Sequence, residues 1–404
     1  MAEVETKLKQ DYILITSQNF PEGGAGATYL NLFCRGLRLN GCLIRVLLLK
    51  GFAFGDYTYK GPRKNFTDYG VAYTYMGFTQ RPRKQAFKLA EEFVSILRVM
   101  IFLFSLSGKR KSTTLLVFNS EIQSNLPIHF IGRLLRIRIV RFVAEYIDKS
   151  QFNGSFFRKL KWYGFLLNFK YLNQNSDKLI VFSFFLRDEY IKMGYDEHDI
   201  IVQPNLTDFE FWLSGNTDIR YTIGYSGAPY LKDGLQDLFT ALSLLRKEGM
   251  SVTLLVIGDA TFGKSLIPAL KEECRKLNIT ENVTFTGLVD SSLVRKYLSE
   301  CRFLAITRPS TVQTKAGFPT KLGEYFATQK PILSTDFGDI ERYFNNGSDL
   351  VIAKTGNPES IAAGIKWILG NDEAVEQMSR TGYIKAKKLL DYQTAIKRII
   401  EFIN

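Results

Sequence analysis

The stretch AGFPTKLGEY, residues 316–325, places residues suited to phosphate and ribose binding within one helical turn of each other. Phe318, Pro319 and Thr320 stand where a helix would begin. The first backbone N–H groups of a helix have no partner inside it and attract anions, although Pro319 supplies no N–H of its own. Glu324 follows Thr320 by one turn, so its carboxylate is placed to accept both hydroxyls of a ribose while the helix start holds phosphates. Lys321 lies in the first turn, where a cation opposes the helix dipole. A neighbouring anion would remove that conflict. The alternative is a plain corner joining a loop, a helix and a strand.

Other groups carry the same kind of chemistry. SGAPYLKDG, residues 226–234, follows a strand and leads into a helix. There Ser226 and Gly227 would shape the turn and Lys232 would hold a phosphate, unless it is simply solvated. Arg308 stands just past the strand at 303–306, where its guanidinium offers a fork to a diphosphate or forms an internal ion pair. In FPEGGAG, residues 20–26, Gly24 and Gly26 let a ligand approach the backbone, or merely make a tight turn. Glu121 and Glu145 each follow a strand. Either could orient an acceptor hydroxyl or act as a base, or instead cap a helix or pair with nearby arginines. The P-loop lysine is missing, so Walker-type ATP hydrolysis is not indicated. Two histidines, His129 and His198, are too few for histidine-rich metal chemistry. No Asp-x-Asp motif closes a strand, so no metal or cofactor is expected.

These residues need strands to carry them. Strands are expected at 12–16, 43–49, 71–75, 115–118, 137–143 and 179–183, and again at 219–225, 251–257, 283–286, 303–306, 331–334 and 349–352. Helical patterns lie between them, with a last helix at about 374–389 and a tail at 391–403. Alternating strands and helices predict an α/β protein with parallel sheets. At 404 residues the chain is too long for one ordinary core. The expected division is a first Rossmann-like domain over 1–205 and a second beginning at 206. Two such domains in tandem would face each other across a ligand cleft.

The formal net charge is +13, and it is uneven. Residues 1–205 hold 29 Lys and Arg against 17 Asp and Glu, whereas residues 206–404 hold 24 against 23. Basic clusters occur at Arg81, Arg83 and Lys84, at Lys109, Arg110 and Lys111, at Arg133, Arg136, Arg138 and Arg141, and at Arg158, Lys159 and Lys161. Such a half suits an anionic substrate, an anionic bilayer or nucleic acid. Nucleic acid is not expected, because no zinc-finger, homeodomain-like or aromatic RNA motif is present. In 152–169, aromatic side chains surround the last cluster, as in helices that lie in a membrane interface, or else they form core beneath a solvated basic rim. The apolar run 93–107 contains Arg98 and is too short to span a bilayer. It reads as a buried helix, the alternative being a helix that lies on a membrane. The polar N-terminus does not resemble a signal peptide, and four scattered cysteines without a CxxC pair suggest a reducing compartment. A cytoplasmic protein, peripheral on the inner face of the cell membrane, is the expected setting.

Together these motifs resemble glycosyltransferase family 4, retaining enzymes with two facing Rossmann-like domains (the GT-B architecture). Asn205-Leu206-Thr207-Asp208 resembles the family's turn into its second domain. SGAPYLKDG resembles its Gly-Arg…Lys-Gly loop, and Gly258-Asp259 its strand end beside the nucleotide. RPS followed by GFPTKLGEY resembles its Glu-Gly-Phe-Gly…Glu segment, in the variant found in members that build bacterial surface polysaccharide. These cover about residues 200–340, and the GGAG loop extends the likeness over nearly the whole chain. The resemblance implies that the second domain ends at 384 and that residues 385–404 pack back on the first. The resemblance implies transfer of a sugar, with retention, from a nucleotide diphosphate sugar to a lipid-linked or saccharide acceptor. Lys232, Arg308 and backbone groups near Phe318–Thr320 would take the diphosphate charge, and Glu324 would hold the ribose. Three positions depart from the pattern. Ala316 replaces the first glutamate, Ala228 the phosphate arginine and Asp233 the lysine. A shifted contact set using Arg308 or Lys321, an altered donor and a loss of catalysis all remain open.

Overall fold

The computed structural model describes residues 11–53, 57–106, 112–146, 156–213, 218–260 and 263–404. The chain divides into two compact units, one of residues 1–204 with 392–404 and the other of 205–391.

The first unit begins with β1 (Asp11–Thr16), α1 (Ala25–Leu39), β2 (Leu43–Leu48), β3 (Lys64–Phe66), β4 (Ala72–Tyr75), α2 (Gln85–Phe104), β5 (Thr113–Phe118) and α3 (Ile122–Leu134). It continues with β6 (Arg138–Val143), α4 (Phe156–Leu167), a π-helical turn (Asn168–Leu172), β7 (Lys178–Val181), α5 (Phe184–Lys192) and β8 (Ile200–Val202). Its eight strands lie in the order β3-β4-β2-β1-β5-β6-β7-β8. All pair in parallel except β3, which runs antiparallel to β4. Central strands buried on both faces read as continuous apolar runs, which is why most were predictable. The short β3 (KNF) and β8 (IIV) carry little of that signal and were not expected.

The second unit holds α6 (Phe209–Trp212), β9 (Tyr221–Ser226), α7 (Leu235–Lys247), β10 (Leu254–Ile257), α8 (Ile267–Lys276), β11 (Val283–Phe285), α9 (Ser291–Ser299) and β12 (Cys301–Ile306). There follow α10 (Val312–Ala316), α11 (Thr320–Ala327), β13 (Ile332–Thr335), α12 (Ile340–Tyr343), β14 (Val351–Ala353), α13 (Pro358–Gly370) and α14 (Asp372–Leu390). Six parallel strands lie in the order β11-β10-β9-β12-β13-β14, the doubly wound Rossmann order.

The chain returns to the first unit as α15 (Tyr392–Ile403). This places the return later than the expected 385. The cause is α14, whose Lys385 pairs with Asp349 at 2.6 Å and whose Gly382 lies against Phe326 and the Asp349 carbonyl. Beyond it, Tyr12 donates to Asn404 Oδ1 at 3.0 Å and Arg398 donates to Gln203 at 3.0 Å.

The apolar run at 93–107 departs further from expectation. The described part, in α2, buries Val99 and Leu103 but leaves a second apolar stripe exposed. Glu91, Ser95, Val99 and Leu103 face inward, whereas Phe93, Leu97, Ile101 and Phe104 are exposed. Glu91 is held inside by the Gly51 N–H at 2.7 Å and by Arg81 at 2.6 Å. With apolar residues all round the helix, periodicity alone does not say which stripe meets the sheet. The basic cluster Lys109, Arg110 and Lys111 lies outside the described residues.

The seat of α15 on α1 depends on Gly36, where a Cβ would come within 2.5 Å of Ile396 Cγ1. Gly36→Val should therefore destabilise the protein by about 1–3 kcal/mol through overpacking. The denaturation midpoint reads this, and Ile396→Ala in the same chain should recover part of the loss. Simply additive losses would contradict this packing.

Candidate active site

In an open parallel sheet, ligands bind outside the carboxyl ends of the strands where the strand order reverses. In the second unit that point lies between β9 and β12. Four chain segments meet there. Gly227 has φ of 112°, and Gly234 has φ of 66°, values that favour glycine. A Cβ on Gly234 would sit 1.9 Å from the Thr307 carbonyl oxygen, and Thr307 Oγ1 donates to the Gly234 carbonyl at 2.9 Å. The loops after β9 and β12 are thus locked together, which points Asp233 inward.

Asp233, 2% exposed, is the centre of the cluster. Lys321 Nζ lies 3.0 Å from its Oδ1, and Arg308 Nη2 lies 3.2 Å from the same oxygen. Lys321 also donates to Tyr225 Oη at 2.7 Å, while that hydroxyl donates to the Ala228 carbonyl at 3.2 Å. Tyr325 fixes α11 to the end of β9 by accepting the Ser226 N–H at 2.7 Å. Asn205 donates to the Phe318 carbonyl, and Phe318 packs edge-on to Tyr343. Pro319 is the N-cap of α11 and gives no side-chain cap, so the first N–H groups of the helix, beginning at Thr320, are uncapped by it. Arg308 Nε is buried with no hydrogen-bond partner among the described residues.

The electrostatics follow from burial and this pairing. Burial pushes the Lys321 ammonium down to about 8, with Asp233 opposing and Arg308 reinforcing the shift. Burial also pushes the Asp233 carboxyl up, but Lys321 and Arg308 together bring it below its ordinary value. Glu324 has no hydrogen bond or ion pair among the described residues. Its burial raises the carboxyl to about 7, against partial opposition from Lys321. Burial, then Asp233, raises the Tyr225 hydroxyl well above its usual range, so it stays neutral. Two cations therefore share one carboxylate, and the surplus charge is positive.

The structure brings Gly227, Arg308 and Lys321 together around Asp233, with Phe318, Pro319, Thr320 and Glu324 on or before the same helix. Lys232 is exposed on the adjoining turn and adds an attraction to Asp233. The ion pair raised as the alternative for Arg308 is present, and the anion beside Lys321 is Asp233, which the sequence reading did not foresee. Sequence reasoning did not give Asp233, Tyr225 or Tyr325 a place in the cluster. The charge reversal at Asp233 was its visible signal.

In the first unit, the strand order reverses between β1 and β5. Glu121 lies there, paired with Lys50 rather than with an arginine, and it accepts from Ser17 Oγ at 3.3 Å. Ser17 also donates to Asn119 Oδ1 at 3.0 Å. Glu145 is exposed past β6 and has no ion pair among the described residues. Gly24 has ordinary extended backbone and a Cβ there would meet nothing within 4 Å, so the fold does not require glycine. A Cβ on Gly26 would meet only the flexible Gln18 side chain, at 2.8 Å.

The architecture is that of GT-B glycosyltransferases. HepE of Anabaena, solved with UDP and glucose, superposes with a TM-score of 0.71 at 16% identity, covering 97% of this chain and 98% of that one. Sucrose-phosphate synthase of Thermosynechococcus elongatus gives 0.72 at 14% identity, with the same shares covered. Residues 220–371 match the family model described as glycosyl transferases group 1. An uncharacterized glycosyltransferase of Methanocaldococcus jannaschii is 24% identical over 228 residues, 54% of this chain and 57% of that relative. The match thus spans little more than half the relative's length.

Glu324 yields a pH-dependent prediction. Its folded pKa is raised, so its contribution to stability is full below about 4.5 and is lost as pH rises through about 7. Glu324→Gln should flatten stability across that window, leaving the variant at pH 8 at least as stable as the wild type. The difference should be at most about 3 kcal/mol. Denaturant titrations at pH 4.5, 7 and 8 measure it, and an unaltered slope would contradict the burial of this carboxyl.

Proposed function

We propose that the chain is a retaining glycosyltransferase that moves a sugar from a nucleotide diphosphate sugar to a lipid-linked or saccharide acceptor. Its setting is bacterial surface polysaccharide synthesis, at the cytoplasmic face of the cell membrane. The observation that carries this reading is the surplus positive charge at the β9–β12 switch point. There Lys321 and Arg308 share Asp233, and Arg308 keeps a buried, unpartnered Nε beside an uncapped helix start. This is the chemistry of a diphosphate seat. HepE, solved with UDP-glucose, has the same fold.

In such a transfer the bond from the anomeric carbon to the diphosphate oxygen breaks, and its electron pair stays on the diphosphate. The acceptor oxygen bonds to the anomeric carbon on the face the leaving group vacates, and the acceptor proton passes to the departing diphosphate oxygen. Charge grows on the diphosphate, so prearranged cations lower the barrier more than they tighten the ground state. Asp233 keeps Lys321 and Arg308 oriented, and the exposed Lys232 adds a further cation on the adjoining turn. Glu324, with no internal partner, is free to accept the ribose hydroxyls. Glu145 and Glu121 are the carboxylates offered to an acceptor, and Gly24 leaves its backbone open to one. A two-carboxylate glycosyl–enzyme scheme is not invoked.

A second reading is a nucleotide-binding scaffold without turnover, favoured by Ala228, Ala316 and the carboxylate of Asp233. Steady-state kinetics over a panel of nucleotide sugars separates the two. Arg308→Ala should lower kcat/KM by about 100-fold or more, and Lys232→Ala by less. Lys387→Ala, on the exposed side of α14, should leave it unchanged. Near wild-type turnover in both site variants would require a different set of charge-stabilising groups. Nucleotide binding with no turnover of any donor would favour the scaffold.

A further inference from the structure

The helices on one face of the first sheet carry their apolar side outward. On α2, Phe93, Leu97, Ile101 and Phe104 recur every three or four residues and form one stripe, with Phe93 70% and Ile101 60% exposed. Neighbouring α3 exposes Leu126, Phe130 and Leu134, with Phe130 at 70%. Next to it, α4 exposes Leu160, Tyr163 and Leu167, and the π-helical turn adds Tyr171. The core of this face is already filled by residues such as Val99, Leu103, Ile128 and Ile131. A contiguous exposed apolar surface over three adjacent helices marks an interaction site.

Charge selects the partner. The acids on these helices are Glu91 and Glu92, and both are turned to Arg81. Lys159, Lys161 and Lys170 are exposed beside the apolar stripes, as is Arg133, which pairs with Asp177 at 2.7 Å. A second copy meeting this face about a two-fold axis would set bases against bases. An anionic bilayer accepts both features at once. Apolar side chains enter the acyl boundary, lysines and arginines reach the headgroups, and tyrosines sit at the interface. No helix among the described residues is long and apolar enough to cross a membrane. Helix α2, at about 30 Å, would lie along the surface.

We infer that α2, α3 and α4 form a monotopic insertion face for an anionic lipid leaflet. The inference rests on the membrane-side reading of the proposed function and names the surface responsible. The work of binding is assigned chiefly to exposed apolar residues of α2 and α3, not to the basic cluster of α4 alone.

The test is cosedimentation of the full chain with vesicles of phosphatidylcholine, with and without phosphatidylglycerol. The wild type should bind the anionic vesicles, more weakly as salt is added. The variant Phe93→Ser/Ile101→Ser/Phe130→Ser should lose about 10-fold or more in partitioning, with an unchanged melting midpoint, because all three side chains already face out. Lys159→Gln/Lys161→Gln should weaken binding and reduce its salt dependence. A wild type that stays in the supernatant, or a triple-serine variant that binds as well as wild type, overturns the proposal. So does a wild-type dimer that the serine variant turns into monomers without any vesicle binding. Nucleoside diphosphate affinity, measured on the same preparations without lipid, reports separately on the transferase reading. Its absence would count against that reading and leave the lipid result standing.

Discussion

The second unit's candidate site depends on the carboxylate of Asp233. A carboxylate this deeply buried is costly unless it is paired, and here it takes one contact each from Lys321 and Arg308. Removing it would leave two cations facing each other in a poorly solvated crevice, a loss on the order of 3–5 kcal/mol. The pairing also explains how a lysine can occupy the first turn of α11. The dipole conflict is offset by Asp233 and by Tyr225, whose ring lies 4.0 Å from the ammonium nitrogen. Helix α11 is in turn held on β9 through Tyr325, so the cluster and the helix start are positioned as one piece.

That arrangement divides the labour among ionisable groups. Lys321 is pulled down to about 8 yet stays mainly protonated at neutral pH, because Asp233 opposes its burial. Glu324, one turn away, has no ion pair among the described residues, is opposed only in part by Lys321 and rises to about 7. A base kept charged by an internal partner and an acid left without one suit different ligand groups. The first suits a phosphate, the second a pair of hydroxyls. The unpartnered Arg308 Nε extends the same asymmetry, since an internal structural ion pair would more economically satisfy the whole guanidinium.

Much of this was legible in the sequence. Central strands buried on both faces, such as YILIT at 12–16 and LLVI at 254–257, announce themselves as apolar runs, and Gly and Pro punctuate the loops that follow. Phe318 to Glu324 was readable as a helix start because the relevant spacing is local. The Asp233 cluster was not, because it joins Tyr225 at the end of β9 and Asp233 in the loop after it, Arg308 past the end of β12 and Lys321 on α11. Only the sheet order brings those together. Residue 233 was noticed only as a reversed charge. The outward face of α2 was hidden for a different reason. Its composition is apolar on several sides, and the deciding fact is the partner of Glu91, the Gly51 N–H and Arg81, which no local pattern reveals. Short β3 and β8 depend on pairing with neighbours rather than on their own sequence.

The most direct test of the central claim, that the β9–β12 switch point is a diphosphate seat built on Asp233, is a crystal structure with a nucleoside diphosphate bound. The account predicts diphosphate oxygens within hydrogen-bond distance of Arg308 and of the first N–H groups of α11, with the ribose hydroxyls on Glu324 and the Asp233–Lys321 pair intact. A nucleotide bound away from α11, or one that reaches neither Arg308 nor Glu324, would contradict it.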